Sequence, residues 1–95
     1  MYIENGIAYA GEKKPILKVN GVRAMEHHRL WVRFNTGEAK IYDMTPLLSQ
    51  SAFLPLRDDA VFQSVFIDYG VPVWKDGEID IAPEELYEKG TTVPA

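Results

Sequence analysis

The chain has 95 residues, no cysteine, 46% hydrophobic and 25% charged residues, and a formal net charge of −4. This excludes disulfides and thiol chemistry and confines any zinc site to His, Asp and Glu. It also argues against a general nucleic-acid binder, whose affinity rests on neutralising phosphates. One domain of this size should bury about 65% of its unfolded surface, enough for a core without staples.

The charge is unevenly spread. Residues 1–40 hold seven Lys/Arg against four Glu, whereas residues 41–95 hold three against ten Asp/Glu. The asymmetry allows a local basic face on the first half, with an ordinary solvated surface as the plainer alternative. The N-terminus has no basic region followed by an apolar run of signal-peptide length, and no stretch approaches the length of a membrane span. Cytoplasm is the expected location.

Residues 1–14 read as an N-terminal extension, with Asn5-Gly6 between short apolar stretches as a hairpin signal. Residues 15–90 read as a single domain and 91–95 as a frayed tail. From Ile16 to Met25 the pattern is strand-like, with Asn20-Gly21 as either a bulge or a second tight turn. Glu26-His27-His28 should turn the chain. The clearest strand follows, where Leu30, Val32 and Phe34 alternate with Arg29, Trp31, Arg33 and Asn35.

Asn35-Thr36-Gly37 predicts a three-residue hairpin loop with Gly37 left-handed, and Ala39 to Asp43 returns as a strand. Thr45-Pro46 reads as a helix start, Thr as N-cap and Pro at the first helical position, anchored by Leu47 and Leu48. Phe53, Leu54 and Leu56 precede Asp58-Asp59, which should cap a short helix through Phe62 and Val65. Val65 to Tyr69 predicts a strand. Val73-Trp74, the turn Lys75-Asp76-Gly77 and Ile79-Asp80-Ile81 follow. Pro83 to Lys89 is the best-punctuated helix, with two Glu at its start and Gly90 to end it. About five strands in antiparallel hairpins with two or three short helices make the predicted class α+β.

Several pieces recur in a familiar order. They are Leu30-x-Val32-x-Phe34-x-x-Gly37-Glu38, Tyr42-Asp43-x-x-Pro46-Leu47-Leu48, Phe53-x-Pro55-Leu56-x-Asp58 and Phe62-x-x-Val65-x-Ile67-Asp68. Trp74-x-x-Gly77-x-Ile79-Asp80-Ile81-x-Pro83-x-x-Leu86-Tyr87 completes the set. Together, over residues 15–90, they resemble the bacterial family catalogued as domain of unknown function 2442. The resemblance implies a small bacterial protein, in some members joined to a helix-turn-helix domain. Members are often encoded beside another small protein and have been suggested to act as antitoxins or accessory partners. The resemblance carries over no catalytic residues. The stretch after Gly90 is too short for a helix-turn-helix, so DNA reading by that route is not expected.

Candidate chemistry is sparse. His27 and His28 are adjacent in a turn, with no third metal ligand suggested by spacing, and are expected to be exposed. Asp76, Glu78 and Asp80 lack the alternating oxygen ligands and closing Glu of a calcium loop, and alternation with Ile79 and Ile81 makes them the wet face of a strand. Asp58-Asp59 could form a carboxylate dyad, but helix capping already accounts for them. Ser49, Ser51 and Ser64 lack a nucleophile elbow, and no glycine loop cradles phosphate. No catalytic residue, metal or cofactor is expected.

The feature that stands out is the polar face Arg29-Trp31-Arg33, with Lys40 and Tyr42 placed across from it unless a bulge at Gly37 shifts the register by one. Exposed Trp, Tyr and Arg carry interface energy and also build single-strand nucleic-acid platforms. The plainer alternative packs Trp31 under the extension or a helix. Trp74 and Tyr69 form a weaker second candidate, with the aromatic beside the turn sealing the core edge. The leading expectation is a non-enzymatic protein-interaction domain, antitoxin-like or accessory in a small two-protein system. A regulatory nucleic-acid module on the same face is the alternative, and an enzyme with an unfamiliar site ranks last. A homo-oligomer through free strand edges stays open.

Overall fold

Alternating side chains and tight turns lay out seven strands in the computed structural model, which describes residues 16–93. The strands are β1 (Val19–Met25), β2 (Arg29–Phe34), β3 (Ala39–Asp43), β4 (Phe66–Asp68), β5 (Val71–Trp74), β6 (Ile79–Asp80) and β7 (Thr91–Thr92). Two α-helices, α1 (Asp59–Gln63) and α2 (Pro83–Lys89), and several 3₁₀ turns complete the described chain. The strands form two antiparallel sheets, ordered β1-β2-β3-β7 and β4-β5-β6. The architecture is α+β, as the sequence predicts. The extension expected over residues 1–14 lies outside the described residues.

The turns follow their residues. Asn20 is a bulge in β1 rather than a turn, since the register shifts between Val19 and Gly21. The Asn35–Gly37 loop closes with Gly37 N–H donating to Phe34 O at 2.9 Å and Phe34 N–H donating to Glu38 O at 2.8 Å, with Gly37 at φ 93°. Thr45 does not cap the helical turn that follows it. Asp43 Oδ1 accepts from the Thr45 N–H at 2.9 Å, and the turn is a single 3₁₀ segment, Thr45–Leu47. Asp58 caps α1 as its position implies, accepting from Ala60 N–H at 3.0 Å.

Thr91–Thr92 were expected to be frayed, but they pair with Lys40 and Ile41 as β7, and Val93 N–H donates to Ala39 O at 2.9 Å. The reason lies in Gly90, where the chain passes over β3 at close range. A Cβ there would sit 2.5 Å from Leu86 O and 3.1 Å from Lys40 Cβ. Only glycine permits that approach, although its φ of −75° is ordinary.

One side of the larger sheet faces the core. Leu30, Val32 and Phe34 are fully buried there beside Met44, Leu56, Phe62, Trp74 and Leu86. Trp74 belongs to the middle of this cluster rather than its edge. Its indole N–H donates to Phe62 O at 3.0 Å, and its ring stacks on Phe62 at 6.1 Å. The two sheets are tied where Val19 N–H donates to Gly70 O at 2.8 Å.

The β4–β5 turn carries a local conflict. Tyr69 and Gly70 both have positive φ, 50° and 80°, as a two-residue hairpin loop requires. Tyrosine is a poor choice there, because its Cβ crowds the backbone in the left-handed region and asparagine does not suffer equally. Tyr69 is 92% exposed, so it gains little packing in return. Tyr69→Asn is expected to raise stability by about 0.5–1 kcal/mol. Urea unfolding should show a higher midpoint at unchanged slope, and a lower midpoint would mean the ring contributes more than its turn position costs.

Candidate functional site: the outer face of the larger sheet

The site is set by hairpin arithmetic. The three-residue loop places Phe34 opposite Glu38, so Arg33, Trp31 and Arg29 face Ala39, Ile41 and Asp43 across β2 and β3. The Glu26–His28 turn likewise sets Met25 opposite Arg29 and Arg23 opposite Trp31. From Gly21 onward in β1, and throughout β2 and β3, odd-numbered residues therefore share the outer face, whereas Val19, ahead of the bulge, pairs with Phe34 and is buried in the core. Both α-helices pack on the other side, α1 through Phe62 and α2 through Leu86.

Lys40 and Tyr42 are not on the outer face. Lys40 pairs with Val32 and Tyr42 with Leu30, which turns both toward the core side. Tyr42 is buried, and its hydroxyl donates to Glu85 Oε2 at 2.8 Å. Burial pushes the Tyr42 phenol well above its ordinary value, and the Glu85 carboxylate adds to the shift. Lys40 donates to the Tyr87 carbonyl and lies 4.1 Å from the Tyr87 ring centroid. Both residues anchor α2.

What the sequence reading missed is Arg23, Met25 and Ile41, which complete the outer face with Arg29, Trp31 and Arg33. Counting residues in the two three-residue turns would have found them. Trp31 is half-buried because its ring lies along Gly21, where a Cβ would sit 3.4 Å from Trp31 Cζ3. The Arg33 guanidinium lies 5.5 Å from the Trp31 ring centroid. Arg29 Nε donates to Glu26 O at 3.3 Å. Shallow depressions flank Trp31, one bordered by Arg23 and Met25, the other by Arg33, Ala39, Thr92 and Val93.

Two carboxylates beside this face, Asp43 and Glu38, are already engaged. The Thr45 backbone N–H holds Asp43 below its ordinary value, helped by the Thr45 hydroxyl and more weakly by Arg29. The Tyr87 hydroxyl, donating to Glu38 Oε1 at 2.6 Å, lowers Glu38, with the Thr36 hydroxyl second. The same contact raises Tyr87. Depressed carboxylates contribute stability above their unfolded values, near pH 4, and lose it as pH falls through their folded values. Unfolding midpoints are therefore expected to drop below about pH 4. The Glu38→Gln/Asp43→Asn double variant should flatten that decline. An unaltered slope would show that other groups carry the acid sensitivity.

The remaining candidates are scattered. His27 is exposed, but His28 is not an exposed partner to it. Its ring lies 5.0 Å from Phe62, and its buried Nε2 has no hydrogen-bond partner among the described residues. Among the described residues, no group of three or more His, Asp or Glu side chains could hold a metal ion. Nor is any helix of the described residues long and apolar enough to cross a membrane. Asp76, at φ 58°, shapes the β5–β6 turn.

The geometry defines a small α+β domain of two antiparallel sheets, the larger one covered by helices on one face and basic-aromatic on the other. A family model described as "Protein of unknown function (DUF2442)" matches residues 19–92, and the chain belongs to that family. The match begins at the first residue of β1 and ends at the last of β7, so it spans the whole four-stranded sheet. No curated protein and no solved structure matches the chain.

Proposed function

We propose that this chain is a non-enzymatic protein-interaction domain, acting in the cytoplasm as the neutralising or accessory member of a small bacterial two-protein system. One observation carries the reading. Arg23, Arg29 and Arg33 surround a half-buried Trp31 on a sheet face that neither α-helix covers. Tryptophan and arginine are the residues that most often dominate interface energy, and a ring already held against Gly21 loses little freedom on binding. The family match supports a shared fold without adding a catalytic residue.

A tagged pull-down from host lysate, with and without nuclease, tests this. A stoichiometric protein should survive nuclease and be lost with Arg29→Glu/Arg33→Glu. Capture unchanged by that double variant would remove the face from the interaction, and a partner set that vanishes with nuclease would replace the reading with a nucleic-acid module.

A further inference from the structure

We propose that the outer face binds an acidic, extended segment of a partner protein, its carboxylates on Arg29 and Arg33 and an apolar side chain on Trp31. This rests on the protein-interaction reading and specifies the partner's chemistry. Arg29, Trp31 and Arg33 alternate along one strand, so their positions repeat at about 7 Å. An extended peptide running beside them presents every second side chain at the same interval. The matching pattern is carboxylate, any residue, apolar, any residue, carboxylate. Arg23 sits beside the central position, opposite Trp31 on β1, and adds a third cation.

Charge supports the choice. The paired outer-face positions hold three arginines, Arg23, Arg29 and Arg33, against one carboxylate, Asp43, whose Oδ1 already accepts from the Thr45 N–H. Arg29 gives Nε–H to Glu26 O, and its guanidinium carries further N–H groups that a carboxylate can engage. Arg33 is poised over the indole, where a bidentate carboxylate can reach its edge. A single-stranded nucleic acid fits less well. It would stack several bases on several open rings, whereas this face offers one tryptophan with a surface already against Gly21. The net charge of −4 also opposes a long polyanion more than a short acidic segment.

The test is selection of 12-residue peptides from a displayed random library against the full chain, followed by affinity measurement on the enriched peptides. The enriched set should be net acidic with the alternating pattern. Binding should weaken about tenfold or more with either Arg29→Glu or Arg33→Glu, and should fall as salt rises. Circular dichroism on the variants confirms that the sheet is intact. Neutral or basic peptides that lose binding on Trp31→Ser would overturn the acidic class and leave the face as an interaction surface. Acidic peptides that bind the double arginine variant as well as the parent would overturn both. A thymidine 12-mer that binds more tightly than the peptides would overturn the proposal in favour of nucleic acid, and a selection that enriches no binder also overturns it.

Discussion

Trp74→Ala is expected to cost about 3–5 kcal/mol, a large share of what a domain of this size has. The indole is fully buried at the junction of the two sheets and α1, stacked on Phe62 and hydrogen-bonded to its carbonyl. Removing it leaves a cavity in the core cluster beside Phe62 and strips the Phe62 carbonyl of its indole donor, leaving it the longer 3.4 Å bond from Val65 N–H. Trp74→Phe is a milder test, since it keeps a ring against Phe62 while losing the N–H donor and part of the indole volume, at about 1–3 kcal/mol. Urea unfolding monitored by circular dichroism reads both. A loss below about 1 kcal/mol for the alanine variant would mean that the core collapses onto the site, contrary to the packing described.

Gly90→Ala is expected to destabilise for a different reason. The added Cβ would lie 2.5 Å from a backbone oxygen, Leu86 O, so the chain must shift rather than a flexible side chain. Overpacking of this kind costs about 1–3 kcal/mol. The damage should be local, detaching β7 from β3 while the β1–β2–β3 hairpins persist. Amide exchange would show it as lost protection at Val93 N–H, which donates to Ala39 O. Normal protection there would show that the α2–β7 corner can relax.

Much of the fold was legible because the local signals agreed. The alternation in β2, the left-handed Gly37, the capping Asp58 and the punctuated α2 each have a short-range cause, and the α+β class follows from them. What failed was what depends on partners far along the chain. Thr91–Thr92 carry no strand signal strong enough to stand alone, and their pairing exists only because α2 returns the chain over β3. Gly90 suggested a helix end, but its actual demand, close backbone approach, is invisible without the third dimension.

The site was half legible for a comparable reason. Arg29, Trp31 and Arg33 follow from alternation within one strand. Placing Lys40 and Tyr42 beside them required the register between strands, and an odd loop length puts those even-numbered residues on the opposite face. The buried Tyr42–Glu85 contact and the Lys40–Tyr87 stacking show what they do there instead.

The pairing of β3 with β7 joins residues more than half the chain apart. The β1–β2–β3 meander needs only neighbouring residues and can assemble early, whereas β7 must wait for the second sheet and α2 to form. Until it arrives, the outer edge of β3 is an open row of hydrogen-bonding groups, the state in which a nascent chain is most prone to pair with the wrong strand. The two threonines of β7 thus join last and stay, closing an edge that would otherwise invite aggregation.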